Sequence, residues 1–304
     1  MSGWTLADLP SQAGRTAIVT GTGGLGFEDA LALARAGADV IVAGRNPDKG
    51  AAAVARIRQA VPDATVAFEL LDLASLASVA AFAGRMAAGR DHVDLLINNA
   101  AVMTPPKRWL SADGHELQFA TNYLGHFALT AHLLPLLRRG RAPRVVTLSS
   151  VAARGGHLAF DDLQAERGYR PMAAYGQSKL ACLMFARELQ RRGEAGGWGV
   201  ASLAAHPGIA RTDLLPNGSG PRSASGLTRT FLWFLFQPAA RGALPTLYAA
   251  TAPAATGGAY YGPTGFGEIR GAPGPARIPA QARDEAAAAR LWALSERLAG
   301  VSFP

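Results

Sequence analysis

The 304-residue chain predicts an α/β fold: one doubly wound domain over residues 1–304, built on a parallel sheet of about seven strands with helices on both faces. Three observations predict it. Short β-rich runs alternate with segments of helical period from Thr16 to Ala205, the pattern of consecutive parallel βαβ units. A glycine cluster, Gly21 to Gly26, separates the first strand from the first helix. No Pro/Gly/Ser-rich linker divides the chain near its middle, and its length suffices to bury one large core.

The elements follow in order. Thr16 to Thr20 reads as a buried strand, and Phe27 to Ala36 as a helix with Phe27, Ala30, Leu31 and Ala34 on one face. Asp39 to Ala43 is the second strand, and Pro47 opens an Ala-rich helix to about Val61. Strands at Thr65 to Leu70 and Val93 to Ile97 flank a helix from about Leu73 to Ala88. A long helix spans about Glu116 to Leu137, with Pro135 expected to disturb its last turn. Arg144 to Ser149, Ala173 to Arg192 and Val200 to Ala205 give the fifth strand, a long helix and the sixth strand. Beyond His206 the signal weakens. Pro207 to Arg229 reads as loop, followed by a helix near Ala239 to Ala250, a short strand near Ala259 to Gly262, and a last helix from Asp284 to Leu298.

Composition narrows the function classes. The net charge of +8 comes mainly from scattered arginines. The densest group, Arg138, Arg139, Arg141 and Arg144, sits at a helix-to-strand corner without interleaved aromatics, so no nucleic-acid partner is expected. Cys182 is the single cysteine, which excludes an intramolecular disulfide and a Cys-rich zinc site. His92, His115, His132 and His157 lack metal-ligand spacing, and no metal is expected. Met1 to Gly14 has neither the basic nor the apolar region of a secretory signal. The apolar run Phe231 to Phe236 is far shorter than the ~20 residues of a membrane span, so the expected location is cytoplasmic.

Gly21-Thr22-Gly23-Gly24-Leu25-Gly26 contains G-x-G-x-x-G between a strand and a helix. Glycines allow the tight turn and a close backbone approach to a pyrophosphate, while the helix N-terminus supplies N–H donors and positive potential. This placement makes the domain Rossmann-type and predicts a bound dinucleotide. The end of the second strand, Ala43-Gly44-Arg45-Asn46, has no Asp or Glu to accept from a ribose 2′-hydroxyl. Arg45 stands there instead, and a guanidinium suits a 2′-phosphate. The expected cofactor is therefore NADP(H).

Tyr175 and Lys179 form Y-x-x-x-K on one face of a helix. A free phenol, with a pKa of about 10, is a poor acid–base group at neutral pH, and a neighbouring ammonium would favour the phenolate. Around this pair, Asn98-Asn99-Ala100, Ser149-Ser150 and His206-Pro207-Gly208 end the fourth, fifth and sixth strands. That is the edge where parallel sheets bind ligands.

These residues, with Asp72-Leu73, Asn122-Tyr123-Leu124-Gly125-His126-Phe127, Tyr175-Gly176-Gln177-Ser178-Lys179 and the tail from Ala282 to Trp292, resemble the short-chain dehydrogenase/reductase family, and within it the retinol-dehydrogenase-like group. The resemblance implies that Tyr175 gives a proton to a carbonyl oxygen, or takes one from an alcohol. Lys179 lowers the tyrosine pKa and holds the nicotinamide ribose. Ser150, or Ser149 one residue away, bonds the substrate oxygen, and Asn122 anchors a water in a relay through Lys179. Asp72 and Leu73 lie by the adenine, with helix capping a second role for Asp72. Asn99 and Ala100 lie along the ribose, and Pro207, Gly208, Ile209 and Thr212 close over the nicotinamide. His126 reads as structural.

Two features depart from the family pattern: the glycine turn is one residue shorter, and Ala101 replaces a common glycine. The long span from Ser150 to Tyr175, with Phe160-Asp161-Asp162-Leu163-Gln164, again resembles the retinol-dehydrogenase-like group. A substrate-covering segment is expected at about 208–242, where Leu227 and Phe231 to Phe236 suit a hydrophobic ketone or aldehyde. A small-molecule carbonyl or alcohol is the expected partner, and the family's frequent dimers and tetramers leave a homo-oligomer open. The competing reading is a catalytically silent dinucleotide sensor or scaffold on the same fold. A sensor has no use for the proton chemistry of Asn122, Ser150, Tyr175 and Lys179.

Overall fold

The alternation of periods becomes a twisted sheet with helices on both faces in a computed structural model, which describes residues 3–210 and 237–304. The strands are β1 (Thr16–Thr20), β2 (Asp39–Gly44), β3 (Val66–Leu70), β4 (Leu95–Asn98), β5 (Arg144–Leu148), β6 (Ala201–Ala205), β7 (Tyr260–Pro263) and β8 (Pro273–Pro275). The helices are α1 (Gly24–Arg35), α2 (Pro47–Ala60), α3 (Leu76–Gly89), α4 (Leu117–Phe119), α5 (Gly125–Leu137), α6 (Pro171–Ala195), α7 (Ala239–Gly242), α8 (Leu244–Thr251) and α9 (Glu285–Ala299). The strand order is β3-β2-β1-β4-β5-β6-β7-β8. β1 to β7 pair in parallel and β8 is antiparallel to β7. Because the order reverses between β1 and β4, a crevice opens there at the C-terminal edge of the sheet.

Successive strand residues point to opposite faces, and the core divides accordingly. Ile18, Ile41, Leu96 and Val145 pack with Phe82, Phe127, Leu133 and Phe185 on one face. Ala17, Val19, Val40, Val42, Leu95, Ile97 and Val146 pack with Leu33, Ile57 and Leu247 on the other. The last helix covers the first face. Trp292 lies 5.1 Å from the Phe127 ring, and Phe303 lies 4.5 Å from Trp292.

The expected seven parallel strands are present as β1 to β7, one further strand joins them, and two helix expectations need correction. The sheet has eight strands, because Pro273-Gly274-Pro275, which reads as a turn, pairs as an edge strand; prolines are tolerated at a sheet edge. The helix expected from Glu116 to Leu137 is interrupted by a π-helical turn, Ala120–Leu124. Pro135, in contrast, leaves the helical path intact to Leu137. Among the described residues no helix is long and apolar enough to cross a membrane.

Candidate active site

Parallel strands deliver their C-terminal residues to one edge, so Thr20, Gly44, Asn98, Leu148 and Ala205 bring their successors together. At the β1 end, Gly21 takes φ +100° and Gly24 φ +53°, a region open mainly to glycine. The first turn of α1 has Gly23 as its cap and no side-chain hydrogen bond, leaving amides and the positive end of the helix dipole for an anion. Asn99 closes over this turn. Its Nδ2 donates to the Thr20 carbonyl at 2.8 Å, and a Cβ on Gly21 or Gly26 would lie 2.8 or 2.5 Å from that nitrogen. Thr22 braces the shortened turn against β2, its methyl 2.8 Å from where a Gly44 Cβ would stand.

Arg45 is exposed at the end of β2 and has no polar partner among the described residues. No acid shares that strand end. Asp72 receives the Ala74 amide at 2.9 Å, while Ser75 caps α3 by accepting from Ser78 N. The capping role considered for Asp72 thus belongs to Ser75, and Asp72 sets the turn before it. Leu73 is buried against α5: a Cβ on Gly125 would come within 2.3 Å of its carbonyl oxygen. This set of free amides, unpartnered guanidinium and flanking Asn99 and Ala100 fits a nicotinamide dinucleotide carrying a 2′-phosphate.

Behind this edge lies a buried hydrogen-bonded chain. The Thr20 hydroxyl accepts the Asn99 and Ala100 amides, each at 2.9 Å, and meets His126 Nε2 at 2.9 Å. His126 Nδ1 lies 2.9 Å from the Asn122 carbonyl. A carbonyl can only accept, so Nδ1 carries the proton, Nε2 accepts, and the Thr20 hydroxyl donates to it. Burial pushes this imidazole down to about 4, which keeps it neutral. The histidine read as structural therefore fastens β1 and the loop after β4 to the π-helical turn.

Asn122 sits in that turn, with its side chain fully engaged. Oδ1 accepts Val102 N at 2.7 Å, and Nδ2 donates to Val102 O and Ser178 Oγ, both at 2.9 Å. Its carbonyl also accepts from Cys182 Sγ at 3.1 Å. In this arrangement Asn122 pins the loop after β4 to α6.

Tyr175 and Lys179 lie buried on α6. Ser150 faces the phenol, and its hydroxyl partly opposes the burial that pushes Tyr175 up to about 12. Ser149 turns the other way, its hydroxyl donating to Lys179 O at 2.7 Å, so of the two serines Ser150 stands beside the tyrosine. Lys179 Nζ donates to Leu148 O at 3.0 Å, and burial lowers its pKa. The expected lowering of the tyrosine pKa by Lys179 is absent from this arrangement: desolvation prevails, and the phenol is protonated at neutral pH.

Pro207, Gly208 and Ile209 follow β6 at the same C-terminal edge of the sheet. Ile209 N donates to Ile269 O at 2.9 Å, and Gln237 N to Ile209 O at 3.0 Å. Thr212 and the apolar run Phe231 to Phe236, the heart of the expected covering segment, lie outside the described residues. Sequence reasoning passed over Ser178, Thr20, Tyr260 and Glu268. Ser178 was visible inside the Tyr175–Lys179 motif, but a Thr ending a strand, a Tyr in β7 and a Glu in a Gly-rich hairpin carry no local signal. Among the described residues no group of His, Cys, Asp and Glu could hold a metal ion.

Residues 15–220 match the family model described as short chain dehydrogenase. Human (Homo sapiens) retinol dehydrogenase 13 is 42% identical, over 97% of this chain and 88% of that protein. An uncharacterised protein from Mycobacterium Paratuberculosis has a crystal structure that superposes with a TM-score of 0.83 at 42% identity, covering 100% of both chains. The Pseudomonas aeruginosa RhlG/NADP active-site complex superposes with a TM-score of 0.65 at 25% identity, over 82% of this chain and 94% of that one.

Proposed function

Because the chain belongs to the short chain dehydrogenase family, we propose that it is an NADP(H)-dependent oxidoreductase interconverting a hydrophobic ketone or aldehyde and its alcohol. The observation that carries this reading is the buried Tyr175 phenol, facing Ser150 and one helical turn from Lys179 on α6. When bound, the nicotinamide supplies or takes up the hydride. The chain's own residues orient the reactants and move the proton.

Ser150 Oγ and the Tyr175 hydroxyl would share one substrate oxygen. Ser150 would donate a hydrogen bond that strengthens as negative charge develops on that oxygen. Tyr175, held protonated by burial, would deliver its proton to the same atom, which suits reduction at neutral pH. Lys179, whose Nζ donates to Leu148 O in the free chain, would have to turn toward the cofactor to hold a ribose hydroxyl and stabilise the phenolate left after proton transfer. Asn122 acts at one remove, through its hold on Val102 and Ser178.

Arg45 supports NADPH over NADH, because its guanidinium stands without a competing acid where a 2′-phosphate would lie. The NADP named for the RhlG complex is in keeping with that choice. The retinol named for the human relative, and the apolar run Phe231 to Phe236, favour an apolar substrate.

The test follows NADPH and NADH absorbance in parallel against aliphatic, aryl and bulky ketones and aldehydes, with Tyr175→Phe as control. Substrate-dependent loss of NADPH that disappears in the variant is the expected result. Cofactor binding without turnover of any carbonyl or alcohol would favour a silent sensor instead.

A further inference from the structure

We propose that Glu268 is a positioning residue for this site: with His206 and Arg154 it locks the loop bordering the nicotinamide position to the segment carrying Ser150. The proposal rests on the oxidoreductase reading above, but its observations are separate from those that carry that reading.

Three segments far apart in sequence meet at one carboxylate. Glu268 Oε2 lies 2.9 Å from His206 Nε2 and 2.6 Å from an Arg154 guanidinium nitrogen, and Oε1 accepts the Arg277 amide at 2.9 Å. His206 is fully buried. Its Nδ1 accepts the Gly208 amide at 3.1 Å, so the ring proton is on Nε2 and is donated to Glu268. Burial pushes the imidazole down to about 4, so the histidine is a neutral donor and Arg154 balances the carboxylate charge.

The fit is tight. A Cβ on Gly262 would fall 2.0 Å from His206 Nε2, and one on Gly208, at φ +65°, 2.2 Å from Ile269 O. Glu268 itself takes φ +58°, a left-handed conformation costly for any residue with a Cβ. Such strain persists only where the surroundings over-determine it, and it gathers at functional sites.

Both ends of the lock reach the chemistry. Arg154 lies in the 3₁₀ turn Val151–Gly155, which Ser150 caps. The His206 ring packs 5.1 Å from Tyr260, whose hydroxyl donates to Ser150 O at 3.4 Å. On the other side, Pro207 and Ala210 pack on Gly242. A Cβ there would lie 3.6 Å from Pro207 Cβ, 2.7 Å from Ala210 Cβ and 2.9 Å from Leu25 Cδ2. The loop after β6 is thereby seated against the start of α1, at the glycine turn. Releasing Glu268 would let the two walls of the crevice move independently.

The experiment compares the intact chain with E268A, E268Q, R154A and the double variant R154A/E268A. It reads melting temperature, NADPH Kd by fluorescence, kcat and KM separately, and hydrogen exchange at the Gly208 and Ile209 amides without cofactor. In E268A, kcat should fall and NADPH Kd rise, each about tenfold, since small misplacements of reacting groups cost this much or more, while the melting temperature drops by only a few degrees for the unpaired His206 donor. E268Q still accepts from His206 and should lose only about threefold. The double variant should be no worse than E268A, because both act through one contact. Faster exchange at Gly208 and Ile209 in E268A would show the lock directly.

Wild-type kcat and Kd in E268A, or additive losses in the double variant, would overturn the proposal. Should E268A fail to fold, E268Q and R154A carry the same comparison: wild-type values in both would overturn it. An intact chain that binds no nicotinamide dinucleotide would instead overturn the oxidoreductase reading, and the exchange measurement would still report on the lock.

Discussion

The two halves of the sheet edge build their parts of the site from different materials. Under β1, β2 and β4 the crevice is made of backbone: positive-φ glycines, free amides at the start of α1, and one exposed Arg45. Under β5, β6 and β7 it is made of buried polar side chains, with Tyr175, Lys179, Ser149 and His206 each 5% exposed or less. A backbone cradle needs little beyond the right turn and tolerates water. A buried polar set must satisfy every donor and acceptor, since an unpaired group there costs about 1–3 kcal/mol. The first half is thus specified by a short string of residues, and the second by many residues at once.

The largest test of this contrast is Tyr175→Phe. Removing one hydroxyl from the side-chain half should lower kcat by about a thousandfold, the usual scale of a general acid, with little change in NADPH Kd. A Kd that rose with the loss of kcat would show that the halves are not separable.

Gly21→Ala strikes the backbone half. With φ at +100° and the Asn99 amide 2.8 Å from the new Cβ, about 1–3 kcal/mol of strain is expected. Cofactor titration should show NADPH affinity weakened about tenfold or more. Unchanged binding would mean that the turn adapts more easily than its geometry suggests.

Arg45→Ala is milder. Losing one charge-assisted contact to a phosphate, worth about 1.5–3 kcal/mol, should cut the preference for NADPH over NADH by about tenfold or somewhat more. Binding of NADH should stay constant. Equal weakening of both cofactors would remove Arg45 from the discrimination.

The smallest effect concerns Asp29 on α1. It is fully buried, and neither carboxylate oxygen has a hydrogen-bond partner among the described residues. Burial first, and Glu28 second, raise its pKa well above the ordinary 3.8. The folded state then holds a proton that the unfolded chain releases, so stability declines as pH rises from about 3.8 toward the raised value. Asp29→Asn should match the wild type near pH 4 and exceed it by a margin that grows through neutral pH. Parallel melting curves at every pH would show that Asp29 ionises freely in the fold.

Much of this was legible without coordinates. Short apolar runs and period-3.6 segments located β1 to β7 and the principal helices, because a parallel strand covered on both faces is apolar along most of its length. The glycine turn, the missing acid beside Arg45, and the Tyr175–Lys179 spacing are equally local. The edge strand β8 escaped because its Pro-Gly-Pro reads as a turn and only a neighbour makes it a strand. The π-helical turn at Asn122 escaped because apolar periodicity carries no trace of one extra residue in a turn.

The sequence by itself determined which residue types stand at each strand end and how far apart they lie along a helix. Steric limits on φ and ψ and the helical repeat act over a few residues and need no partner. Tertiary structure decided what those residues do. Thr20 and His126 are 106 positions apart, and His206 and Glu268 are 62; no local rule joins them. Packing removed water from these groups and left them only one another as partners. That same desolvation fixed the tautomers of His126 and His206, committed Asn122 to Val102 and Ser178, and kept the Tyr175 proton in place.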